Sequence, residues 1–218
     1  MRYAISDIHG CNKTFHALLA QIKLKDTDTL FLLGDYVDRG PDSKGVLDTI
    51  MTLRCQVVAL RGNHEELMLT AWGDGDFVNQ ESYDYHFWMV NGGGATLRSL
   101  AGTNIRPYLA FLKELPPFVA LEDFYLVHAE FDFSLRDPFG RMGETSMLWS
   151  RGKPYHGKKP VICGHTPQTR EQITAGLKTN KMNIDNGCYL NKPGYHHLAS
   201  LCLDSRQLCF QENIDDEF

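Results

Sequence analysis

The 218-residue sequence predicts an α/β fold in which short buried strands alternate with amphipathic helices. Short apolar runs with the length of buried strands recur along the chain, segments of helical periodicity separate the first three, and a polar motif begins where each run ends. The runs comprise residues 2–6, 29–33, 56–60, 124–127 and 160–163. Because open α/β sheets gather ligands at the carboxyl ends of their strands, we expect the polar motifs to lie together.

The segments after the first three predicted strands have the periodicity of helices with one apolar face. Asn12 is the expected N-cap of the first helix, and the third should begin near His64. The apolar faces are formed by Phe15, Leu18, Leu19 and Ile22 in the first helix, by Val46, Leu47, Ile50 and Met51 in the second, and by Leu67 and Met68 in the third. Parallel strands joined by such helices require right-handed crossovers.

The regular pattern lapses after Ala71. Residues 72–91 mix aromatic and acidic side chains and are expected to form long loops with little regular structure. Within them, residues 74–76 lack the later ligands of a calcium loop and should form a solvated turn. The glycines at 92–94 are not followed by the Lys-Ser/Thr of a phosphate-binding P-loop.

The second half of the chain contains one predicted helix and several strands. The helix should begin at Pro107 and end before Pro116. Residues 118–121 and 124–127 have the pattern of a hairpin. Further strands are expected at residues 182–184, 197–203 and 207–211, and a frayed polar tail at residues 213–217.

Composition indicates one globular domain spanning residues 1–218, with 43% apolar residues to form its core. A net charge of -5 without a Lys/Arg stripe disfavours nucleic acid as a partner. The sequence shows neither a signal segment nor an apolar stretch long enough for a bilayer, so we expect a cytoplasmic protein with no membrane partner. The six cysteines lack a Cys-x-x-Cys pair and should be reduced and mostly buried. The oligomeric state stays open, and a monomer is compatible with the sequence.

Five polar motifs follow the predicted strands. They are Asp7-Ile8-His9-Gly10, Gly34-Asp35-Tyr36-Val37-Asp38-Arg39-Gly40, Arg61-Gly62-Asn63-His64-Glu65, His128-Ala129 and Gly164-His165-Thr166-Pro167. Each alone has an ordinary explanation, such as turn chemistry for the Asp-Gly pairs, an N-cap for Asn63 or a core histidine for His128. Their common position after strands favours a two-metal phosphoesterase.

Two other nucleophiles are disfavoured. Cys55 and Arg61 are separated by five residues, as in the thiolate loop of tyrosine phosphatases, but the β-branched residues 56–60 predict extended chain where that loop must wrap a phosphate. No Gly-x-Ser-x-Gly elbow is present either. We therefore expect a metal-activated hydroxide as the attacking group.

The order of these motifs resembles the PPP family of metal-dependent serine/threonine phosphatases. Residues 88–94, 128–130 and 148–151 are similar to segments of the phage lambda phosphatase branch, which includes small bacterial enzymes. The resemblance extends from residue 3 to about residue 190. It implies a metallophosphoesterase-type central β-sandwich flanked by helices, with a dinuclear metal centre at its edge.

The resemblance also implies a role for each motif residue. The implied metal ligands are Asp7 and His9 for the first ion, Asp35 as the bridge, and Asn63, His128 and His165 for the second. His64 would protonate the leaving group while Asp38 orients its ring. The implied phosphate-binding residues are Arg39, Arg61 and Arg151.

The expected activity is hydrolysis of phosphoserine and phosphothreonine in phosphoproteins, with phosphotyrosine as a further candidate, by in-line attack of a metal-bridging hydroxide. The expected cofactor is a pair of divalent ions, with manganese favoured and iron or zinc also compatible with the mixed ligand set. Pro167 replaces the final histidine of the Gly-His-x-His found in many related phosphodiesterases, which favours a phosphomonoesterase. Glu130 departs from the aspartate of the lambda-type pattern, which puts substrate contacts near it in doubt.

Two alternatives remain. The first is a symmetrical dinucleoside tetraphosphate hydrolase, but those relatives typically lack the acid of Asp-Arg-Gly and the arginine before Gly-Asn-His, and this chain has both as Asp38 and Arg61. The second is a binding module without catalysis. It is disfavoured because such a module would not need every metal ligand together with His64.

Overall fold

Two mixed β-sheets flanked by helices form the computed structural model, which describes residues 1–73 and 78–215. The strands are β1 (Arg2–Ile5), β2 (Thr29–Leu32), β3 (Gln56–Ala59), β4 (Phe118–Ala120), β5 (Tyr125–Val127), β6 (Val161–Cys163), β7 (Lys181–Asn183), β8 (His197–Cys202) and β9 (Leu208–Glu212). The helices are α1 (Asn12–Gln21), α2 (Ser43–Thr52), α3 (Asn63–Trp72), α4 (Tyr83–Trp88), α5 (Gly94–Ser99), α6 (Arg106–Lys113), α7 (Glu144–Trp149) and α8 (Arg170–Gly176). A π-helical turn (Met89–Gly93) joins α4 to α5, and a 3₁₀ turn (Arg141–Gly143) precedes α7.

The first sheet has the strand order β3-β2-β1-β8-β9, and the second has the order β4-β5-β6-β7. Parallel pairing joins β1 to β2, β2 to β3, β5 to β6 and β6 to β7. The hairpins β4–β5 and β8–β9 are antiparallel, as is the β1–β8 pair. The β1, β2 and β3 strands therefore end at one edge of the first sheet, and β5 and β6 end at one edge of the second.

A shared apolar layer packs the two sheets face to face. Ala4 and Phe31 from the first sheet lie in the same buried cluster as Leu126 and Ile162 from the second. The opposite face of the first sheet packs on the helices, where Leu30 belongs to a cluster with the apolar faces of α1, α2 and α3. The predicted α/β class and central β-sandwich with flanking helices are confirmed.

Most predicted elements are confirmed within one or two residues at their ends, including the 118–127 hairpin and the last two strands. The N-cap assignment was wrong. Asn12 is the first residue of α1, and Cys11 precedes it without a side-chain cap hydrogen bond. The Asn12 amide instead donates to Asp42 at 2.9 Å, linking α1 to the start of α2.

The prediction of long loops in residues 72–91 holds for residues 78–82 but was wrong for residues 83–91, which are helical. Ser82 caps α4 by accepting the N–H of Tyr85, and the helix buries Trp88 completely. Gly92 has φ +107°, and a Cβ there would come within 3.0 Å of the Arg39 backbone nitrogen. The triple glycine therefore allows the segment that contains α4 and α5 to approach the loop after β2 closely. The turn predicted at residues 74–76 lies outside the described residues.

The polar tail is not frayed through residue 215. Asn213 and Asp215 are 4% and 2% exposed and hydrogen-bonded to the start of α1. Residues 216 and 217 lie outside the described ranges. The six cysteines are unpaired, and all but Cys209 are buried, as expected. Across residues 1–73 and 78–215, no helix has the length and apolar character needed to cross a bilayer.

The buried face of β2 generates a stability prediction. Leu30 is fully buried in the helix-side cluster, so Leu30→Ala should lower the free energy of unfolding by about 2 to 5 kcal/mol through lost burial and a residual cavity. Urea unfolding of the metal-free protein measures this. Val90→Ala is the control because Val90 is 82% exposed, and it should change stability by less than about 0.5 kcal/mol. Equal effects of the two changes would contradict the packing described here.

Candidate metal centre and active site

The candidate site residues occupy turns that follow the strands. The backbone at these turns is strained, since L-residues rarely adopt a positive φ. Nine non-glycine residues with positive φ are found in the described ranges, and six of them are candidate site residues. Those six are Asp7, His9, Asp35, Asp38, Arg39 and His165. The tight turns point these side chains toward one edge of the two sheets.

Two buried clusters of metal-ligating side chains result. His9, Asp35 and His64 form one cluster, and Asp35, His128 and His165 form the other, with the candidate ligand atoms of each cluster within 4.8 Å of one another. Asp35 is common to both. Its Oδ2 lies 3.5 Å from His9 Nε2, and its Oδ1 lies 3.4 Å from His128 Nε2. Asp35 therefore presents one oxygen to each cluster, as a bridging carboxylate must.

Backbone carbonyls fix the orientation of two of these imidazoles. His9 Nδ1 is 2.9 Å from the carbonyl oxygen of Val37, and His128 Nδ1 is 2.9 Å from that of Leu33. A carbonyl only accepts, so Nδ1 carries the proton in both rings and Nε2 keeps its lone pair. This arrangement is typical of metal-ligating histidines, whose outer nitrogen is hydrogen-bonded.

The donor set around His128 fits a cation. His128 Nε2 lies 2.9 Å from Asn63 Oδ1 and 3.1 Å from His165 Nδ1, and the latter two atoms are 2.9 Å apart. His165 Nε2 is buried and has no hydrogen-bond partner. Nitrogen and oxygen lone pairs thus converge with few protons to share, which is unfavourable unless a positive charge lies between them. Mixed N/O donors suit Mn, Fe or Zn.

Asp7 lies beside these clusters. Its two carboxylate oxygens accept the backbone N–H of His165 at 3.1 and 3.0 Å, and the neighbouring Ser6 hydroxyl donates to one of them. Gly164 permits this contact, because a Cβ there would lie 2.1 Å from Asp7 Oδ2. Asp7 therefore joins the β1 and β6 turns at the metal-ligand edge.

Buried acidic and imidazole side chains lie close together at the candidate metal centre. Burial raises the pKa of the Asp35 carboxyl well above its usual value, and the nearby carboxyls of Asp7 and Glu65 raise it further. Burial likewise lowers the pKa of His9 well below its usual value and that of His165 to about 2. The site is thus built to hold neutral imidazoles beside carboxyl groups that a cation would stabilise as anions.

His64 and Asp38 form a buried pair next to the clusters. His64 Nδ1 lies 2.7 Å from Asp38 Oδ2, while its Nε2 faces Asp35 at 3.9 Å. Asp38 is held in turn by Trp88 Nε1 at 3.0 Å and by the Thr96 hydroxyl at 2.7 Å. Burial lowers the pKa of His64 to about 4 and raises that of Asp38 to about 7. Near neutral pH, burial therefore favours an uncharged His64 ring that Asp38 orients.

The three predicted phosphate-binding arginines have different surroundings. Arg39 Nη1 lies 2.9 Å from His9 Nε2, and its guanidinium stacks 4.2 Å from the centre of the Tyr189 ring. Arg151 is exposed, and its charge contributes to the lowered pKa of His128 and His165 after burial and their other neighbours. Arg39 therefore contacts a candidate metal ligand directly, and the charge of Arg151 is felt at two others.

Arg61 is turned to other partners. Its guanidinium donates to Glu66 at 3.2 Å and to the carbonyl of Lys113 at 2.8 Å. None of its contacts within the described part of the chain involves a candidate metal ligand. The structure therefore does not bring Arg61 together with the other predicted site residues, and its phosphate-binding role stays a prediction.

Three residues at the site had no role predicted from the sequence. Glu65 accepts the backbone N–H groups of Asp35 and Gly62, and Asp185 is a buried acid whose pKa is raised well above the usual value by burial and by the charge of Asp7. Tyr189 packs edge-on against His9 at 4.9 Å. For Asp185 and Tyr189, the detectable signal was that the polar residues 185–187 directly follow the strand predicted at residues 182–184.

The Glu130 carboxylate binds other groups of the protein. Its carboxylate accepts the N–H groups of Gly152 and Lys153 and the ammonium of Lys181. Because Gly152 follows Arg151 directly, Glu130 fixes the segment that carries this arginine. The charge of Glu130 is thereby compensated by Lys181 and the two backbone N–H groups.

The chain matches the family described as calcineurin-like phosphoesterase over residues 3–199 and belongs to it. With its buried His/Asp clusters, it is a metallophosphoesterase. It is similar to serine/threonine-protein phosphatase 2 of Salmonella typhimurium, with 28% identity over 205 residues that span 86% of this chain and 87% of the relative.

Two further relatives have a different described activity. The symmetrical bis(5'-nucleosyl)-tetraphosphatase of an Acidovorax species is 45% identical over 73 residues, which cover 33% of this chain but only 26% of the relative. The crystal structure of a protein provisionally assigned as a diadenosine tetraphosphatase matches with a TM-score of 0.67 and 19% identity, covering 96% of this chain and 91% of that one. The latter similarity establishes the fold alone.

The shared position of Asp35 predicts unequal effects on metal content. Asp35→Asn should remove most of the metal from both clusters, whereas Asp7→Asn should leave at least the ion held by His128 and His165, because only Asp35 belongs to both clusters. Elemental analysis of dialysed protein measures the metal-to-protein ratio, with circular dichroism to verify folding. Equal metal content in the two variants would contradict the bridging assignment.

Proposed function

We propose that this protein is a metal-dependent phosphoprotein phosphatase that hydrolyses phosphoserine and phosphothreonine monoesters, with phosphotyrosine as a further substrate. The full-length similarity to a bacterial serine/threonine-protein phosphatase supports this specificity within the metallophosphoesterase class. The observation that carries the proposal is the His64–Asp38 pair beside Asp35. Hydrolysis of an alkyl monoester depends on a general acid, because an alkoxide is a poor leaving group unless it is protonated as the P–O bond breaks.

The proposed metal ligands are Asp7, His9, Asp35, Asn63, His128 and His165. Two divalent ions, with manganese favoured, would supply positive charge for the phosphoryl oxygens and lower the pKa of an attacking water molecule. Asp35 would hold both ions, and the carbonyl-anchored rings of His9 and His128 would keep their Nε2 atoms directed toward them.

The proposed general acid is His64, which would have to carry a second proton on Nε2 when substrate is bound, because burial alone favours the uncharged ring. Its Nε2 faces the centre, and its Nδ1–H is directed at Asp38, which hydrogen bonds with Trp88, Thr96 and Ser43 keep in place. Loss of this orientation would leave Nε2 unable to reach the leaving oxygen. Trp88 and Thr96 are thus tied to catalysis through Asp38.

Arg39 and Arg151 are the proposed phosphoryl-binding cations, together with Arg61 as predicted from its motif. The Arg39 guanidinium is hydrogen-bonded to the nitrogen of His9 that would bind an ion. A cation at His9 would take the place of that hydrogen bond and release the guanidinium for substrate. Metal binding and phosphate binding would then be coupled at this residue.

Two lysines near Glu130 are already used in ion pairs and are not free for a longer polyphosphate. Lys153 pairs with Asp132, and Lys181 pairs with Glu130. Exposed apolar side chains instead pack near Trp149, two residues before Arg151: Phe87 is 38% exposed with its ring 6.3 Å from that of Trp149, and Tyr83 stacks on Phe87. Such a surface suits a peptide chain better than a chain of phosphates.

Phe131 and Phe133, which follow Glu130, differ in exposure. Phe131 is 3% exposed and packs against Phe118 and Tyr125 in a third core cluster, so it is not available for substrate contact. Phe133 is 41% exposed and remains available at the surface.

The second candidate function, hydrolysis of symmetrical dinucleoside tetraphosphates, is favoured by the locally higher identity to the Acidovorax enzyme.

The general-acid role of His64 predicts a dependence on the leaving group. His64→Asn should keep its bound metal and lose on the order of 10² to 10⁴ in kcat with a phosphoserine peptide, the range for a removed general acid. The loss should be much smaller with p-nitrophenyl phosphate, whose leaving group needs little protonation. Steady-state kinetics on both substrates measure this, with the exposed His86 changed to Asn as control. A uniform loss would assign His64 to positioning.

The substrate proposal predicts that phosphopeptides are preferred over diadenosine tetraphosphate. We expect kcat/KM to differ by at least about tenfold, or roughly 1.4 kcal/mol of transition-state binding. Metal-stripped protein reloaded with Mn, Fe or Zn should be assayed on a phosphopeptide panel and on the dinucleotide. Full activity of the metal-stripped protein would reject the proposal. Equal kcat/KM for phosphopeptides and the dinucleotide would also reject it. Preference for the dinucleotide would favour the second candidate.

A further inference from the structure

Residues 213–215 lead from the end of β9 to the first turn of α1. Asn213 and Asp215 carry polar side chains that are 4% and 2% exposed, outside the site described above. Buried polar groups are costly unless they are hydrogen-bonded, so their partners reveal what the segment holds in place. All of these partners lie near two turns that flank His9.

Asp215 supplies the cap that α1 lacks. Its Oδ1 accepts the N–H of Lys13 at 2.8 Å, and its Oδ2 accepts the N–H and the hydroxyl of Thr14 at 2.8 and 2.6 Å. The residue before the helix, Cys11, offers no side-chain cap. The carboxylate therefore binds otherwise unpaired first-turn amides and places negative charge at the positive end of the helix.

Asn213 joins the same helix start to a second turn. Its amide nitrogen donates to the carbonyl of Cys188 at 2.9 Å and contacts the Cys11 sulfur at 3.6 Å. Its amide oxygen lies 3.1 Å from the Thr14 hydroxyl oxygen, whose hydrogen is directed mainly at the closer Asp215 carboxylate. One side chain thus links the chain immediately after His9 to the chain immediately before Tyr189.

His9 lies between the two turns that the tail connects. The Tyr189 ring packs edge-on against the His9 ring, with centroids 4.9 Å apart, and carries the Arg39 guanidinium on its face. His9 itself is only two residues from Cys11 and has a strained backbone with φ +47°. Beyond the Val37 carbonyl that anchors its Nδ1, the placement of His9 therefore depends on how the start of α1 and the Tyr189 turn are held together.

We propose that Asn213 and Asp215 are positioning residues for the His9 side of the metal centre. They act through the start of α1 and through Tyr189, and they do not contact the proposed His128 and His165 ligands. The inference rests on the metal ligands proposed above. Partners that orient a ligand from outside typically change metal affinity by roughly 10-fold to 100-fold when they are removed.

Metal titration of the stripped protein tests this proposal. Isothermal titration calorimetry with Mn²⁺ on wild type and on His9→Ala first identifies the binding phase that depends on His9. Asp215→Ala should then raise the Kd of that phase roughly 10-fold and leave the Kd of the other phase unchanged. Asn213→Ala should act in the same direction. Ile214→Ser is the control, because its side chain is 46% exposed and only its backbone N–H contacts Thr14.

A merely structural role would produce a different pattern. A lower thermal midpoint of Asp215→Ala with both Kd values unchanged would overturn the proposal, as would an equal increase of both. If Asp215→Ala does not fold, Asp215→Asn keeps one acceptor oxygen and is scored by the same criteria. A wild-type protein without any His9-dependent phase would overturn both this inference and the proposed function, whereas a normal wild type with an unaffected Asp215→Ala overturns only the inference.

Discussion

The buried carboxylate of Glu65 is the interaction on which the metal centre depends. It accepts the backbone N–H groups of Asp35 at 2.8 Å, Tyr36 at 2.7 Å and Gly62 at 2.9 Å, and it is fully buried. Because Glu65 belongs to the first turn of α3, this one side chain fastens the start of that helix to the turn after β2. Its removal would leave three amides unpaired, each costing about 1 to 3 kcal/mol. This contact, together with the His64 backbone N–H that donates to Asp35 Oδ1 at 3.1 Å, holds Asp35 and His64 close to each other.

The main framework and the metal-ligand turns could be predicted because they are encoded locally. Short apolar runs specify the strands, and a parallel arrangement brings the residues after them to a common edge. His9, Asp35, His128 and His165 therefore meet as the sequence indicates. Their mutual distances could not be predicted, since these follow from carbonyl anchors such as those of Leu33 and Val37.

The parts that escaped prediction depend on distant partners. The α4 segment has the composition of a loop, and its helix is stabilised where Trp88 is buried on Asp38, fifty positions earlier in the chain. Asp215 lies in a polar tail without any local pattern, and its partners are about two hundred residues away. Arg61 shows the converse. Its motif indicates a phosphate ligand, but the local sequence cannot reveal that Glu66 and Lys113 engage its guanidinium.

The left-handed backbone at the candidate ligands has a consequence for how this protein tolerates change. At Asp7, His9 and Asp35 glycine would adopt the observed φ with the least strain, yet glycine offers no ligand atom. Replacement by glycine would therefore relax the chain while destroying the site, so the most stable version of these turns is an inactive one. Selection for thermal stability alone would favour substitutions that remove the ligand atoms at these positions. Stability and catalysis therefore place opposite demands on these turns.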